Sequence, residues 1–216
     1  MRIALGAAGV VLALGLSLAV VQAAEENAEG WVSLFDGKTL DGWKVSTENS
    51  SAFVVKDGTI GAVSGRAHLF YNGPVGNHDF KNFEFQCDVM TTPGSNSGIY
   101  IHTEYQESNW PYKGYECQVN QTHEDWRKTG GLYGIQDNKE AVAKDGEWFH
   151  YEIKVEGKHI VTKINGKTVA DFTEPEGWEP PQDMPGRKLS SGTIAFQAHD
   201  PNSKTYFKNI KIKLLD

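Results

Sequence analysis

Two short segments of the sequence concentrate groups that can transfer protons or bind sugars. They run from Ser97 to Glu104 and from Gly114 to Asn120. Together they offer an imidazole, carboxylates, amides and phenols. Histidine and a carboxylate of tuned pKa are common acids and bases in enzymes that work near neutral pH. This set of residue types is typical of a catalytic or sugar-binding surface.

Both segments alternate between apolar and polar residues. Side chains on a β-strand point to opposite faces with a period of two, so each segment predicts a strand with one core face and one polar face. The predicted apolar rows hold Ile99, Ile101, Tyr115, Cys117 and Val119, and the polar rows hold Tyr100, His102, Glu104, Glu116, Gln118 and Asn120.

A third alternating segment, Thr193 to His199, turns Gln197 and His199 away from its apolar row. If the three strands belong to one sheet, then His102, Glu116 and His199 share one polar face, and we predict them as the catalytic groups. The predicted substrate-binding residues are the polar and aromatic side chains on and around these strands: Asn96, Tyr100, Trp110, Gln118, Asn120, Trp126, Lys128, Tyr133 and Gln197.

Plainer interpretations of these residues stay open. Trp110 and Trp126 lie in polar loops where an indole could stack on a sugar or plug the end of the domain. Lys128 could be a solvated lysine, and each histidine could cap a backbone group.

The rest of the chain consists of short strand patterns separated by Gly, Asn, Asp and Pro signals. Asp57-Gly58 predicts a tight hairpin turn, and residues 148–172 predict a three-stranded meander. No long stretch has a helical period with caps. The sequence therefore predicts an all-β jelly-roll β-sandwich. Its predicted core contains Phe83, Phe85, Ile99, Ile101, Tyr115, Val119, Ile153, Ile194 and Phe196.

The N-terminus has the pattern of an export signal. Arg2 is followed by an uncharged apolar run, Ile3 to Val21, and Val21-Gln22-Ala23 offers small residues at a cleavage site. We predict a signal peptide at residues 1–23 and a single domain at 24–216, with no membrane segment after cleavage, in the periplasm or outside the cell. A transmembrane anchor is the alternative for an apolar run of this length.

The charge balance bears on the kind of partner, and the two cysteines bear on a disulfide. With 21 Lys and Arg against 28 Asp and Glu, the formal net charge is −7. Nucleic-acid binding needs clustered basic residues, so we expect no nucleic-acid partner. Cys87 and Cys117 are predicted on inward faces, and export leaves both a disulfide and two buried thiols open.

Several motifs along the chain carry a resemblance to a known family. They span most of residues 32–210 and comprise Val32 to Trp43, Asn96 to Tyr100, Gly114 to Gln118, Lys128 to Gly134, Gly146 to Trp148, Asn165-Gly166 and Phe207 to Ile210. In this order they resemble the 3-keto-disaccharide hydrolase family. The resemblance implies a fold similar to concanavalin A-like lectins and glucanases. It also implies a secreted bacterial protein that acts, by hydrolysis or elimination, on glycosides whose C3 hydroxyl is oxidised to a ketone.

That chemistry requires an acid and a base. A C3 ketone acidifies the C2 proton, and the enolate formed by its removal can expel the aglycone at C1. Glu116 with His102 or His199 could carry the proton transfers, and Tyr100, Lys128 or Tyr133 could hold the oxyanion or the leaving group. A divalent metal ion bound by His and Glu is an open alternative, although the sequence shows no metal-binding spacing.

Two other functions compete with this one. A laminarinase-like glycoside hydrolase needs acidic residues that alternate on one strand, and the segment Glu84 to Asp88 comes nearest, with Gln86 where a carboxylate is required. A non-catalytic carbohydrate-binding module would use Tyr100, Trp110, Gln118 and Trp126 without moving a proton.

Overall fold

The computed structural model describes residues 29–216. The predicted signal peptide at residues 1–23 lies outside the described residues. Within the described range, no helix is long and apolar enough to span a membrane.

The regular structure is almost entirely β-strand, with one short 3₁₀ turn at Val75–His78. The strands are β1 Val32–Ser33, β2 Trp43–Val45, β3 Phe53–Lys56, β4 Thr59–Ala62, β5 Ala67–Tyr71, β6 Phe83–Thr91, β7 Asn96–Thr103, β8 Tyr115–Asn120, β9 Lys128–Leu132, β10 Gln136–Asn138, β11 Phe149–Glu156, β12 His159–Ile164, β13 Lys167–Thr173, β14 Thr193–Ala198 and β15 Thr205–Leu214.

The strands form two antiparallel sheets. The first, called here the outer sheet, has the order β13-β12-β11-β6-β15-β4-β3, and β1 pairs with β15. The second, called here the site sheet, has the order β10-β9-β8-β7-β14-β5-β2. The predicted meander is the hairpin series β11, β12 and β13.

Aromatic and aliphatic side chains from the two sheets meet in one core. Phe196 of the site sheet stacks on Phe207 of the outer sheet with ring centroids 4.1 Å apart. All nine predicted core residues are buried in this cluster. The predicted jelly-roll β-sandwich is therefore confirmed, because period-two alternation places one row of every central strand between the sheets.

Local sequence signals account for two details. Asp57 and Gly58 both have positive φ, 50° and 74°, which a type I′ hairpin turn requires. Cys87 and Cys117 are buried and unpaired. Of the two alternatives, a disulfide and two buried thiols, the structure therefore contains the thiols. Burial raises the pKa of both thiols, which keeps them in the unreactive protonated form.

Candidate functional site

The three strands that carry the predicted catalytic residues are neighbours. In the site sheet β8 pairs with β7 and β7 pairs with β14, with Tyr100 directly opposite both Glu116 and Ala195. Loops cover the polar face of these strands, so every residue of β7, β8 and β14 is buried. Polar groups hidden from water in this way are costly unless they are paired or used for binding.

A cavity of about 350 Å³ opens on this covered face. Eight predicted site residues line it: Asn96, Tyr100, Trp110, Glu116, Gln118, Tyr133, Gln197 and His199. Its other lining residues are Pro111, Tyr112, Asp125, Asp183, Met184, Pro185 and Arg187. Its size falls in the range of pockets that enclose small ligands, about 300–1,000 Å³.

Glu116 lies at the floor of the cavity and is only 6% exposed. Gln197 donates a hydrogen bond of 2.9 Å from its Nε2 to Glu116 Oε1, and its Nε2 also lies 3.1 Å from the Tyr100 hydroxyl. Arg187 Nη2 lies 3.4 Å from Glu116 Oε2. Burial raises the pKa of the Glu116 carboxyl, and the nearby Arg187 guanidinium opposes that rise. A carboxyl in this setting holds its proton more tightly than a solvated one, as a general acid requires.

Glycine at position 98 makes room for this carboxylate. A Cβ built on Gly98 would lie 2.6 Å from Glu116 Oε1, a distance that van der Waals contact does not allow. The absence of a side chain on β7 therefore lets Glu116 of β8 lean across the neighbouring strand.

Arg187 is a site residue that the sequence interpretation missed. The four prolines among residues 174–187 predict a surface loop there. The loop instead folds over the cavity, and Arg187 also donates a hydrogen bond of 3.1 Å to the carbonyl of Gly114. The loop, here called the roof loop (174–189), is closed at its base by Glu174, whose Oε1 accepts hydrogen bonds from Tyr115 Oη and the backbone N–H of Leu189. An arginine that follows a proline-rich stretch gives no periodic signal by which it could be found.

His199 stands at the edge of the cavity with one ring nitrogen fixed. Its Nδ1 lies 2.9 Å from Asp200 Oδ2, and it packs against the Trp110 ring at a centroid distance of 5.3 Å. Burial raises the pKa of Asp200, but hydrogen bonds from Ser203, from His199 and from backbone N–H groups outweigh it and lower that pKa to about 2. The carboxylate therefore accepts the Nδ1 proton and leaves Nε2 of His199 with a lone pair, the tautomer that a general base needs. Asp200 was not predicted as a site residue, although its place beside His199 was a usable signal.

The metal alternative can be tested on one cluster. Among the described residues His123, His199 and Asp200 lie close enough to hold a metal ion. However, Nδ1 of His123 accepts the Asp125 backbone N–H at 3.1 Å. Both oxygens of Asp200 accept bonds from Asn202, Ser203 or His199. Nδ1 of both histidines and both oxygens of Asp200 are therefore engaged in hydrogen bonds, and the two imidazole Nε2 atoms are the ligand atoms left for a metal ion.

The prediction that His102 shares the polar face is wrong. A register shift between β14 and β7 falls at this point, and His102 has φ of 53°. The bulge turns its ring to the far side of the sheet, where it packs against Phe83. Its Nε2 donates to the carbonyl of Lys81 at 2.9 Å, and its Nδ1 accepts the Ser190 N–H at 3.1 Å. Both ring nitrogens are thus used in holding backbone, outside the cavity.

Three predicted binding residues also lie outside the cavity lining. Lys128 Nζ donates to the carbonyls of His123 and Asp125 at 2.7 and 2.8 Å. Asn120 Nδ2 donates to the carbonyls of Asp125 and Arg127. Both side chains close the loop 120–128 from within. Trp126 is 48% exposed and lies over Arg127, 4.8 Å from ring centroid to guanidinium.

A buried histidine behind the cavity had no sequence signal. His68 on β5 is fully buried, and neither ring nitrogen has a hydrogen-bond partner among the described residues. It lies edge-on to Tyr100 and Trp110, with centroid distances of 5.4 and 5.6 Å. Burial lowers its pKa to about 3, so it is neutral at physiological pH and supports two cavity walls by packing.

The acidic pattern of the rival hydrolase lies on another surface. Glu84, Gln86 and Asp88 point outward from β6 in the outer sheet and are half-buried. None of them lines the cavity that contains Glu116. Within residues 29–216, the acidic row of the rival hydrolase therefore lies away from the Glu116 cavity, and Glu84 and Gln86 line a separate pocket.

Sequence comparison identifies the family of the chain. The family described as 3-keto-alpha-glucoside-1,2-lyase-like domain matches residues 30–213. A Bacteroides thetaiotaomicron protein named 3-keto-disaccharide hydrolase is 25% identical over 234 residues, covering 88% of this chain and 80% of that protein.

Two solved structures from Parabacteroides distasonis, assigned as glycosyl hydrolases, have the same architecture. They are 27% and 28% identical with TM-scores of 0.74 and 0.69. The alignments cover 88% and 86% of this chain, and 96% and 99% of theirs. The exoplasmic domain of VIP36, at 9% identity and a TM-score of 0.56 over 87% of this chain and 91% of that one, shares the fold alone. The chain therefore belongs to the 3-keto-α-glucoside-1,2-lyase-like family, a group of glycosidase-like proteins that act on carbohydrate.

Proposed function

We propose that this protein cleaves 3-keto-glycosides by removing the C2 proton and expelling the aglycone from C1. The observation that carries the proposal is the pairing, in one cavity, of a buried carboxyl of raised pKa, Glu116, with an imidazole, His199, whose lone pair is directed by Asp200. A carboxyl that keeps its proton can act as the acid, and an imidazole with a free lone pair can act as the base.

In the first step, Nε2 of His199 accepts the C2 proton. The C2–H electrons form the enolate of the C3 ketone, and its oxygen becomes negatively charged. Arg187, the guanidinium in the cavity lining, stabilises that oxygen. Asp200 stabilises the imidazolium formed on His199.

In the second step, the enolate electrons form the C1–C2 double bond and the C1–O bond breaks. The Glu116 carboxyl donates its proton to the departing aglycone oxygen. The products are an unsaturated 3-keto sugar and the free aglycone. Addition of water across the new double bond gives the hydrolysed 3-keto sugar, so the same residues serve elimination and net hydrolysis.

The remaining polar groups of the floor suit a polyhydroxylated ligand. Gln197 Oε1 and Asn96 Oδ1 are buried acceptors without a protein donor among the described residues. Buried polar atoms are nearly always paired, so these acceptors favour a substrate that supplies hydroxyl donors. The Trp110 and Tyr133 rings offer faces on which a sugar ring can stack.

The test uses both anomers of aryl 3-keto-glucosides and their unoxidised parents, with products followed by mass spectrometry. We expect turnover of the 3-keto compounds alone. A C2-deuterated 3-keto substrate should react more slowly than its C2-protonated form, because the C2–H bond breaks in the first step.

Two outcomes would contradict the proposal. Equal turnover of the unoxidised parents would indicate an ordinary glycosidase. Binding of sugars without turnover of any 3-keto compound would indicate a carbohydrate-binding module.

A further inference from the structure

The mouth of the cavity differs in character from its floor. Glu116, Tyr100 and Gln197 at the floor are at most 6% exposed, whereas Trp110 and Tyr112 at the mouth are 42% and 64% exposed. Because the reacting sugar must reach Glu116 and His199, the aglycone of a bound glycoside lies at the mouth.

The two walls of the mouth are held together. The backbone N–H of Gly114 donates to the carbonyl of Gly186 at 3.0 Å. A Cβ on Gly186 would clash with the carbonyl oxygen of Tyr112. The roof loop is therefore in direct backbone contact with the loop between β7 and β8, here called the aromatic loop (104–114), which carries Trp110 and Tyr112. The aromatic loop and the roof loop thus form one opening whose shape is set before a ligand binds.

One carboxylate of the cavity lining has no charged partner. Glu116 faces Arg187, and Asp125 faces Arg127 at 3.6 Å. Asp183, exposed on the roof loop and part of the cavity lining, makes no ion pair or hydrogen bond within residues 29–216. Its carboxylate is therefore the charge that an incoming aglycone meets.

We propose that this mouth selects glycosides whose aglycone is uncharged and has a flat or ring-shaped face, and that Asp183 rejects aglycones that carry a carboxylate, sulfate or phosphate. The inference rests on the proposed function in that it takes the reacting sugar to lie at the Glu116 floor. Trp110 and Tyr112 supply stacking faces for the aglycone ring, and the like charge of Asp183 disfavours an anionic competitor.

The size of the effect follows from the exposure of Asp183. Like charges a few ångströms apart at a protein surface repel moderately, and salt screens that repulsion. We expect the specificity constant for an anionic aglycone to be about tenfold below that of its neutral counterpart at low ionic strength, and the ratio to fall as salt is added.

The experiment compares two aryl 3-keto-glucosides that differ at one meta substituent, a carboxamide in one and a carboxylate in the other. The ratio of their kcat/KM values is measured for the wild-type protein and for Asp183→Asn, at low and high salt. The two phenols differ in acidity as leaving groups. Dividing the carboxamide-to-carboxylate ratio of the wild-type protein by that of Asp183→Asn, at the same salt concentration, cancels this difference. We expect Asp183→Asn to improve relative use of the carboxylate about fivefold at low salt, and much less at high salt.

Glu179→Gln is the matched control. Glu179 lies on the same roof loop but lines a separate depression with Trp178 and Lys188. The variant changes the net charge of the protein by the same amount, so it should leave the carboxamide-to-carboxylate ratio at the wild-type value.

The outcomes separate this inference from the proposed function. If neither compound reacts, binding of the unoxidised carboxamide and carboxylate glucosides by calorimetry still reports charge selection at the mouth, and tighter binding of the carboxamide, lost in Asp183→Asn, would support it. A ratio that Asp183→Asn and Glu179→Gln change equally, or do not change, would overturn it.

Discussion

Three aspartate–histidine pairs occur within residues 29–216, and in two of them the histidine binds the aspartate through Nδ1 at the same distance. On the outer sheet His150 Nδ1 lies 2.9 Å from Asp88, and at the cavity His199 Nδ1 lies 2.9 Å from Asp200. The outer pair lies on an open surface of alternating half-buried residues, whereas the cavity pair borders strands that are buried throughout. The hydrogen bond alone therefore does not distinguish a site. The site at His199 is distinguished by the buried polar groups around it. Burying polar groups costs stability, so their presence here indicates a function.

The largest expected effect tests whether the buried carboxyl is the functional one. Glu116→Gln keeps the shape but removes the titrating group, and we expect kcat on a 3-keto-glucoside to fall by about 10²–10⁴. Glu84→Gln makes the same chemical change on the outer sheet and should leave kcat unchanged. If Glu84→Gln abolished turnover while Glu116→Gln kept it, the site would be wrongly assigned.

The Asp200–His199 and Asp88–His150 pairs allow a direct comparison. Asp200→Asn replaces the acceptor of the Nδ1 proton with an amide that can donate, which favours the wrong tautomer of His199, and we expect kcat to fall by about 10². This is less than the ~10⁴ found for a buried triad aspartate, because the His199 side chain is 28% exposed and can reorient. Asp88→Asn at the outer pair is the control. Equal losses in the two variants would show that the change acts through folding.

Two glycines can be compared in the same way. Gly98→Ala places a Cβ against the Glu116 carboxylate, and a displacement of about 1 Å in a catalytic group can cost on the order of 10² in rate. In Gly61→Ala on β4 of the outer sheet, the nearest side-chain contacts are at 3.1 Å and 3.2 Å, on Val63 and Tyr206. We expect a measurable drop in kcat for Gly98→Ala alone. Retention of full activity would mean that Glu116 does not need its present position.

The smallest effect concerns stability rather than turnover. His68 has a folded pKa of about 3 and an unfolded value near 6.5, so below pH 6.5 the unfolded chain binds a proton that the folded chain does not. The free energy of unfolding therefore decreases as pH falls from 6.5 toward 3, by up to on the order of 4 kcal/mol. In His68→Leu this part of the decrease should disappear, as measured by urea unfolding at several pH values. Parallel pH curves for the two proteins would exclude the assignment.

The sequence predicts side-chain positions well where side chains alternate regularly along a strand, and poorly where that alternation is broken. Strand alternation placed the core row, Glu116, Gln118 and Gln197 correctly, since each lies on a regular strand. It failed at His102, because a single bulge residue reverses the face and leaves no mark in the pattern.

The contribution of loops to the cavity could not be predicted from the sequence either. Arg187 and Asp183 reach the cavity through the path of the roof loop, which depends on tertiary contacts of Glu174. Lys128 was misplaced for the same reason, since its partners are backbone carbonyls of a loop whose path is not visible in the residue types.

The closure of the roof loop by Glu174 has a consequence for how this scaffold can change. Glu174 at one end of the loop accepts the Leu189 N–H at the other end and is itself held by Tyr115 Oη of β8. Residues 175–185 can therefore differ in length while both ends stay in place. Lengthening a surface loop adds little entropic cost, and Arg187 lies beyond the exchangeable part. On the proposed function, the segment that meets the aglycone is thus separate from the floor that holds Glu116, and grafting other 175–185 sequences onto the scaffold is a direct test of new substrate preferences.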